Sequence, residues 1–291
     1  SYTNNSEEYT DFEDGQGYLE LTRSEKDMIE LAKKTSTKTI VVINAANAFQ
    51  LGDLQDDPEI DAIVWAIPGG QVGFNALGRI LDGEVNPSAE TPDTFARDIK
   101  SGPAANNFGD FQYTSMTEFA QDDPFNKGTQ TQPSFVNDND SIYVGYRWYE
   151  TAAAEGVIDY ASEVVYPFGF GLSYTTFSQS MGDISVDEAS GAMTADVTVT
   201  NTGQVAGKDV VQIYDNPPYT DGGIEKAAAN LLSYEKTKLL EPGETQTITV
   251  TWNRDSLASY DAKDAKAYVL EAGNYKISAR ANSHELRDER R

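Results

Sequence analysis

The sequence predicts an α/β domain built on a partial, mostly parallel sheet, followed by an all-β sandwich. Two short runs rich in β-branched residues, Thr39 to Asn47 and Ala62 to Ile67, each neighbour a helical pattern, the rhythm of parallel strands joined by helices. From Met193 onward that rhythm gives way to alternating apolar and polar residues in short segments separated by turns. A length of 291 residues, against roughly 100 to 200 per domain, leaves room for two cores.

The first ordered element is expected to be a helix over about Thr22 to Lys34. Thr22 and Glu25 form a capping box, and Met28, Ile29, Leu31 and Ala32 supply an apolar face. The unbroken run Thr39 to Asn47 reads as a parallel strand buried on both faces, and Ala62 to Ile67 as a second. After the turn Pro68-Gly69-Gly70 a helix is expected from Val72 to Leu81. Ligands of such open sheets sit beyond the carboxyl ends of the strands, where Asn44 to Asn47 and Pro68 to Gln71 fall; connection geometry alone explains the same residues.

Residues from about Ser101 to Asp140 are polar, aromatic-rich and aperiodic, and are expected to wrap the surface. Within them Asn137 to Asp140 has the composition of a calcium loop but neither its glycine nor its bidentate glutamate. The alternating segments begin at Met193, Val210, Thr245 and Tyr275. The turns Asn201 to Gly203, Glu241 to Glu244 and Glu271 to Asn274 separate them, as in an immunoglobulin-like or fibronectin-like sandwich. A boundary is expected near Phe177 to Asp183, giving domains over 1–180 and 181–291.

Charge and residue usage exclude several chemistries. Lys and Arg number 22 against 47 Asp and Glu, a net charge of −25, so a nucleic-acid phosphate backbone would be repelled. With no cysteine, neither disulfides nor thiolate metal sites can form. The only histidine, His284, falls in the polar stretch Ser283 to Arg291 and is expected on the surface, which removes a Ser/His/Asp triad. No apolar run is long enough for a membrane-spanning helix. Ser1 opens polar sequence without a basic, apolar leader, and the end is charged; the expectation is a piece of a longer, cytoplasmic protein, with secretion as the alternative.

Seven stretches carry a family resemblance. Ile142-Tyr-Val-Gly-Tyr-Arg-Trp-Tyr149 and Tyr166-Pro-Phe-Gly-Phe-Gly-Leu-Ser-Tyr-Thr-Thr-Phe177 resemble the paired signature near the end of the sandwich domain of family 3 glycoside hydrolases. Upstream, Pro68 to Leu77 and Gly83 to Ser88 resemble that family's Gly-rich turn and its Asn-Pro-Ser-Gly motif. Downstream, Asn201 to Gly203, Val210 to Tyr214 and Lys238 to Glu244 resemble its fibronectin type III-like domain. The chain departs from the pattern at Ala89 and Glu90, where a glycine and a basic residue are usual, and at Val72, where an acid is common. The run Leu21 to Ile29 after Gly15 to Glu20 is most similar to the branch in which these two domains precede the barrel.

The motifs also have a physical reading. Phe168-Gly-Phe-Gly171 lets backbone approach a neighbour closely while its aromatic rings bury area between domains. Arg147, set among aromatics, is expensive to bury alone, so a carboxylate or carbonyl partner in a structural role is expected.

The resemblance implies part of a retaining β-glucosidase acting on terminal β-D-glucosyl residues, with two carboxyl groups about 5 to 5.5 Å apart. The nucleophile is then an aspartate on a TIM barrel of about 250 residues, which cannot fit here, so the chain alone is expected to be inactive. The expected partners are that barrel, on another segment or chain, and a β-glucoside or oligosaccharide; no cofactor is implied. The family's acid/base is a glutamate shortly before the Thr22 helix, in a Gly-Glu-Gly setting that is absent; Glu8 between Glu7 and Tyr9 is the candidate in this chain, an exposed acidic linker is the simpler account of it, and the acid/base is expected just upstream of Ser1. A noncatalytic carbohydrate-binding or adhesive module is the competing reading, and β-xylosides or N-acetylhexosaminides are alternative substrates.

Overall fold

The computed structural model describes residues 19–107, 111–123, 127–135 and 138–290. Helix α1 (Arg23–Thr35) starts as its residues dictate. The Thr22 hydroxyl accepts from Glu25 N, while Thr22 N donates to the Glu25 carboxylate at 2.8 Å. Strands β1 (Ile40–Ile43) and β2 (Ala62–Trp65) pair in parallel, from Ile40 opposite Ala62 to Ile43 opposite Trp65. Lys33, near the end of α1, reaches Asp57 at 2.7 Å and ties the helix to the connection between those strands.

The sheet is less enclosed than the sequence predicts. Ile43 is buried, but Ile40 and Val42 on the other face are 44% and 37% exposed. On α1 only Ile29 is buried; Met28 and Leu31 are 63% and 62% exposed. A β-branched run reports the capacity for two-sided burial, but the covering elements must come from elsewhere, and the described residues supply them on one side only. Helix α2 (Phe74–Leu81) likewise buries none of its residues. The core that does form joins Ile29, Ile43, Phe49, Leu51 and Leu54 to Phe95, and the indole of Trp65 donates to Ala45 O at 2.9 Å.

The rest of this domain is assembled from short pieces. Strand β3 (Phe95–Ala96) pairs with β6 (Val164–Tyr166) antiparallel, and a small hairpin, β4 (Gln121–Asp122) with β5 (Gln130–Thr131), lies in the long polar segment. Helices α3 (Tyr146–Ala154) and α4 (Tyr160–Glu163) precede β6.

The second domain is a two-sheet sandwich. One sheet contains β7 (Phe177–Val186), β8 (Ala192–Asn201) and β11 (Thr245–Asn253) in the order β11-β8-β7. The other contains β9 (Val210–Asn216), β10 (Asn230–Lys236), β14 (Lys276–Arg280) and β15 (Leu286–Arg290) in the order β10-β9-β14-β15. A hairpin of β12 (Ser259–Asp261) and β13 (Ala267–Val269) sits beside them. Alternation puts Val197, Val199, Val211, Ile213, Val250 and Ile277 into one core, each at 2% exposure or less. Strand β7 runs through the zone where the boundary was expected, and the stretch from Ser283, expected as a polar tail, instead leads into edge strand β15.

The two domains meet along a tight seam at the Phe168–Gly171 stretch. Gly169 has φ +79°, and a Cβ there would stand 2.3 Å from Gln212 Oε1; a Cβ on Gly171 would stand 2.5 Å from Ala89 O. Gln212 Nε2 donates to Gly169 O at 3.0 Å and to Glu90 Oε2 at 2.5 Å, and the Phe168 ring stacks on Tyr146 at 4.7 Å. Asn86 donates from Nδ2 to Ala206 O in the second domain and accepts from Tyr174 N, so the Asn-Pro-Ser motif works as a staple.

Candidate functional site

The carboxyl end of β1 opens onto a cavity of about 480 Å³. Ala46 to Phe49 form one side, where the open-sheet rule places ligands; Pro68 to Gln71 do not line it. Trp65, at the end of β2, and Pro92 to Thr94 form the floor, and the far wall is the N-terminal part of α3 with Tyr143, Trp148 and Tyr149.

Gly145 explains why α3 can present these rings. It enters the helix at φ 57° and ψ −129°, a conformation open to glycine and costly for other residues, so the chain turns sharply between Tyr143 and Trp148. Tyr149 is 7% exposed and its hydroxyl lies 3.1 Å from Ser101 Oγ, which pins the helix to the polar segment. The Trp148 Nε1 is buried without a hydrogen-bond partner among the described residues.

Among the described residues, Asp93 is the one carboxylate in the cavity lining. Burial pushes its pKa upward, against the hydrogen bond its Oδ1 accepts from Thr94 N at 2.8 Å. Aromatic faces with a few polar groups suit a polyhydroxylated ring, but one acid does not make the pair that glycoside hydrolysis requires. The cavity as described can bind and orient; a second carboxylate must come from outside it.

Other expected residues fall in different places. Glu8, and Asn137 of the Asn137 to Asp140 stretch, lie outside the described residues; Asp140 accepts a hydrogen bond from Asn107 Nδ2 at 2.8 Å. Arg147 does not obtain the full pairing expected of it: its Nε is buried without a partner. Its charge instead stacks over Tyr146 at 5.9 Å and helps hold down Asp215, whose carboxyl burial pushes up to about 7.

His284 is exposed, as expected, although its Nδ1 reaches Glu150 Oε2 at 3.0 Å. Glu150, next to the Tyr146–Tyr149 motif, is 7% exposed and was not singled out by sequence. It accepts from Tyr160 Oη and Ser283 Oγ, both at 2.8 Å, and anchors the seam opposite the cavity.

Comparison with known proteins gives these features a family context. A sequence profile described as "Glycosyl hydrolase family 3 C-terminal domain" matches residues 2–174, and one described as "Fibronectin type III-like domain" matches residues 209–283. Beta-glucosidase A of Butyrivibrio fibrisolvens is 37% identical over 281 residues, covering 91% of this chain and 30% of the relative. A beta-glucosidase of Ruminococcus albus is 34% identical, covering 89% and 24%. Among solved structures, a beta-glucosidase from Paenibacillus barengoltzii superposes with a TM-score of 0.76 at 30% identity, covering 95% of this chain and 27% of the other. Beta-glucosidase 3B of Thermotoga neapolitana in complex with α-D-glucose gives 0.73 at 29%, covering 94% and 34%. The chain thus spans a third or less of the length of these curated relatives.

Proposed function

We propose, since this chain belongs to glycoside hydrolase family 3, that it forms one wall of the sugar site of a retaining β-glucosidase whose catalytic barrel is supplied by a separate segment. The observation that carries this reading is the aromatic cavity at the end of β1 with its single acid, Asp93. A wall of this composition excludes water and orients a glucosyl ring, while the nucleophile and the rest of the acid-base pair come from outside it. The names of the relatives and the share of their length matched here support the same division. Glu8, ahead of α1, is the acid/base that we propose from this chain.

The open face of the first domain supports assembly with the missing segment. Met28, Leu31, Ile40 and Val42 form an exposed apolar strip beside an unpaired edge of a parallel sheet, and burying one such side chain contributes about 1.5–3 kcal/mol. The fibronectin-like domain then acts as a buttress.

The test is hydrolysis of an aryl β-glucoside by the purified chain alone and after mixing with the barrel-containing remainder of the protein, with native mass reporting association. Activity only in the associated sample is expected. Turnover by the chain alone, or association without turnover of any β-glucoside, overturns the reading; turnover confined to β-xylosides or N-acetylhexosaminides replaces its substrate.

A further inference from the structure

We propose that the cleft between α3 and the connection from β9 to β10 is a binding subsite for a neutral, β-linked oligosaccharide. The assignment rests on reading the Trp65–Trp148 cavity, which adjoins the cleft, as a sugar site. Tyr143 lines both.

The cleft has a volume of about 450 Å³, within the ~300–1,000 Å³ of small-molecule sites, and lies at a domain interface, where such sites concentrate. One wall belongs to the first domain, with Tyr143 and Glu155. The other belongs to the second, with Tyr219, Asp221, Asn274 and Lys276. Its walls are fixed relative to one another. Ala228 N donates to Thr151 Oγ1 at 2.9 Å, and Tyr143 Oη donates to Glu225 Oε2 at 2.5 Å. Lys226, with its side chain 4% exposed, is held by Glu271 at 2.5 Å and by Pro218 O at 2.6 Å. A cleft held on both sides loses little freedom on binding, which favours affinity.

The lining selects the ligand class. Tyr219 is 45% exposed and offers a ring face to the C–H side of a sugar, while Asn274, Lys276, Asp221 and Glu155 offer donors and acceptors around it. Lys226 is neutralised by Glu271, which leaves Lys276 against Glu155 and Asp221 in the lining, and with the whole chain at −25 a polyanion finds no field to attract it. A neutral polyol matches this balance. The shared Tyr143 sets the two openings side by side, which favours an oligosaccharide over a single sugar.

The cleft lies wholly within this chain, so binding can be measured without the barrel. Calorimetric titration with cellotetraose and with laminaritetraose is expected to show saturable binding of at least one, tighter than glucose. Tyr219→Ala should weaken it about tenfold, equivalent to ~1.4 kcal/mol, and Asn274→Ala should weaken it less, with thermal unfolding unchanged in both. Binding of neither tetrasaccharide, or equal binding by wild type and both variants, overturns the proposal. In the assembled enzyme Tyr219→Ala should leave hydrolysis of a short aryl β-glucoside unchanged; its loss would put Tyr219 in the primary pocket and overturn the assignment. An inactive wild-type assembly would refute the proposed function while the titration still decides the subsite.

Discussion

The imidazole of His284 lies flat on the ring of Tyr160, centroids 3.7 Å apart and planes within 9°, and its Nδ1 is 3.0 Å from Glu150 Oε2. Tyr160 and Glu150 belong to the first domain and His284 to the second, so this stack is a rivet across the seam.

Glu150 bears most of that rivet. Replacing it with Ala strands the Tyr160 and Ser283 hydroxyls inside the interface, and each buried orphan costs about 1–3 kcal/mol. Glu150→Ala should lower stability by about 3 kcal/mol in urea denaturation, whereas His284→Ala, at a half-exposed ring, should cost about 1 kcal/mol or less. Equal losses would show that the ring stack, not the carboxylate, holds the seam.

Glu90 makes the seam sensitive to pH. Burial, reinforced by the charge of Asp209, pushes its carboxyl up to about 8. A carboxyl that holds its proton more tightly when folded contributes its stability fully below the unfolded value near 4.5 and loses it as pH rises toward 8. Asp209 and Asp215 shift in the same direction, so Glu90→Gln should flatten the fall in melting temperature between pH 5 and 8 without abolishing it. An identical slope in wild type and variant would count against this assignment.

Backbone fit at the seam is stringent. Gly169→Ala combines a positive φ with a Cβ that would overlap Gln212, and should cost about 2–4 kcal/mol. Limited proteolysis should then cut between the domains, while the second domain retains its own cooperative unfolding.

The strip beside β1 should govern assembly. Ile40→Lys with Val42→Lys changes exposed positions and should leave melting of the isolated chain within about 0.5 kcal/mol of wild type. Native mass of the mixture with the barrel segment should show association lost. Full association of the double variant would move the docking face elsewhere.

Legibility in the sequence followed the range of the interaction. The Thr22 capping box closes within one helical turn, and α1 begins where its residues predict. The alternation through β8, β9 and β11 reports a core built from those same strands. Exposure of Ile40 and Val42 was not readable, because it depends on what lies beside them in space. The same holds for His284, whose partner Glu150 is 134 positions away, and for Gln212, which a strand pattern marks only as a polar interruption. At the cavity, the Ile142–Tyr149 motif announced Trp148 and Tyr149, but Asp93 has no local signature: its role comes from burial.

The contrast between the two sheets also sets an order of events as the chain folds. Strands β7 and β8 form an antiparallel hairpin, as do β14 and β15, whereas β1 reaches its parallel partner only through a long crossover. The hairpins close locally, but the sandwich is complete only when β11 returns to β8 and β14 to β9, pairings more distant in sequence than Ile40 with Ala62, so its surface is finished late. Phe168 to Gly171 enter β7 after only a short connection, and they are the residues that dock on that surface. The seam therefore forms only once β9 and β14 have paired, and destabilising the core of the second domain should slow closure of the cavity wall, even though no residue of that core lines the cavity.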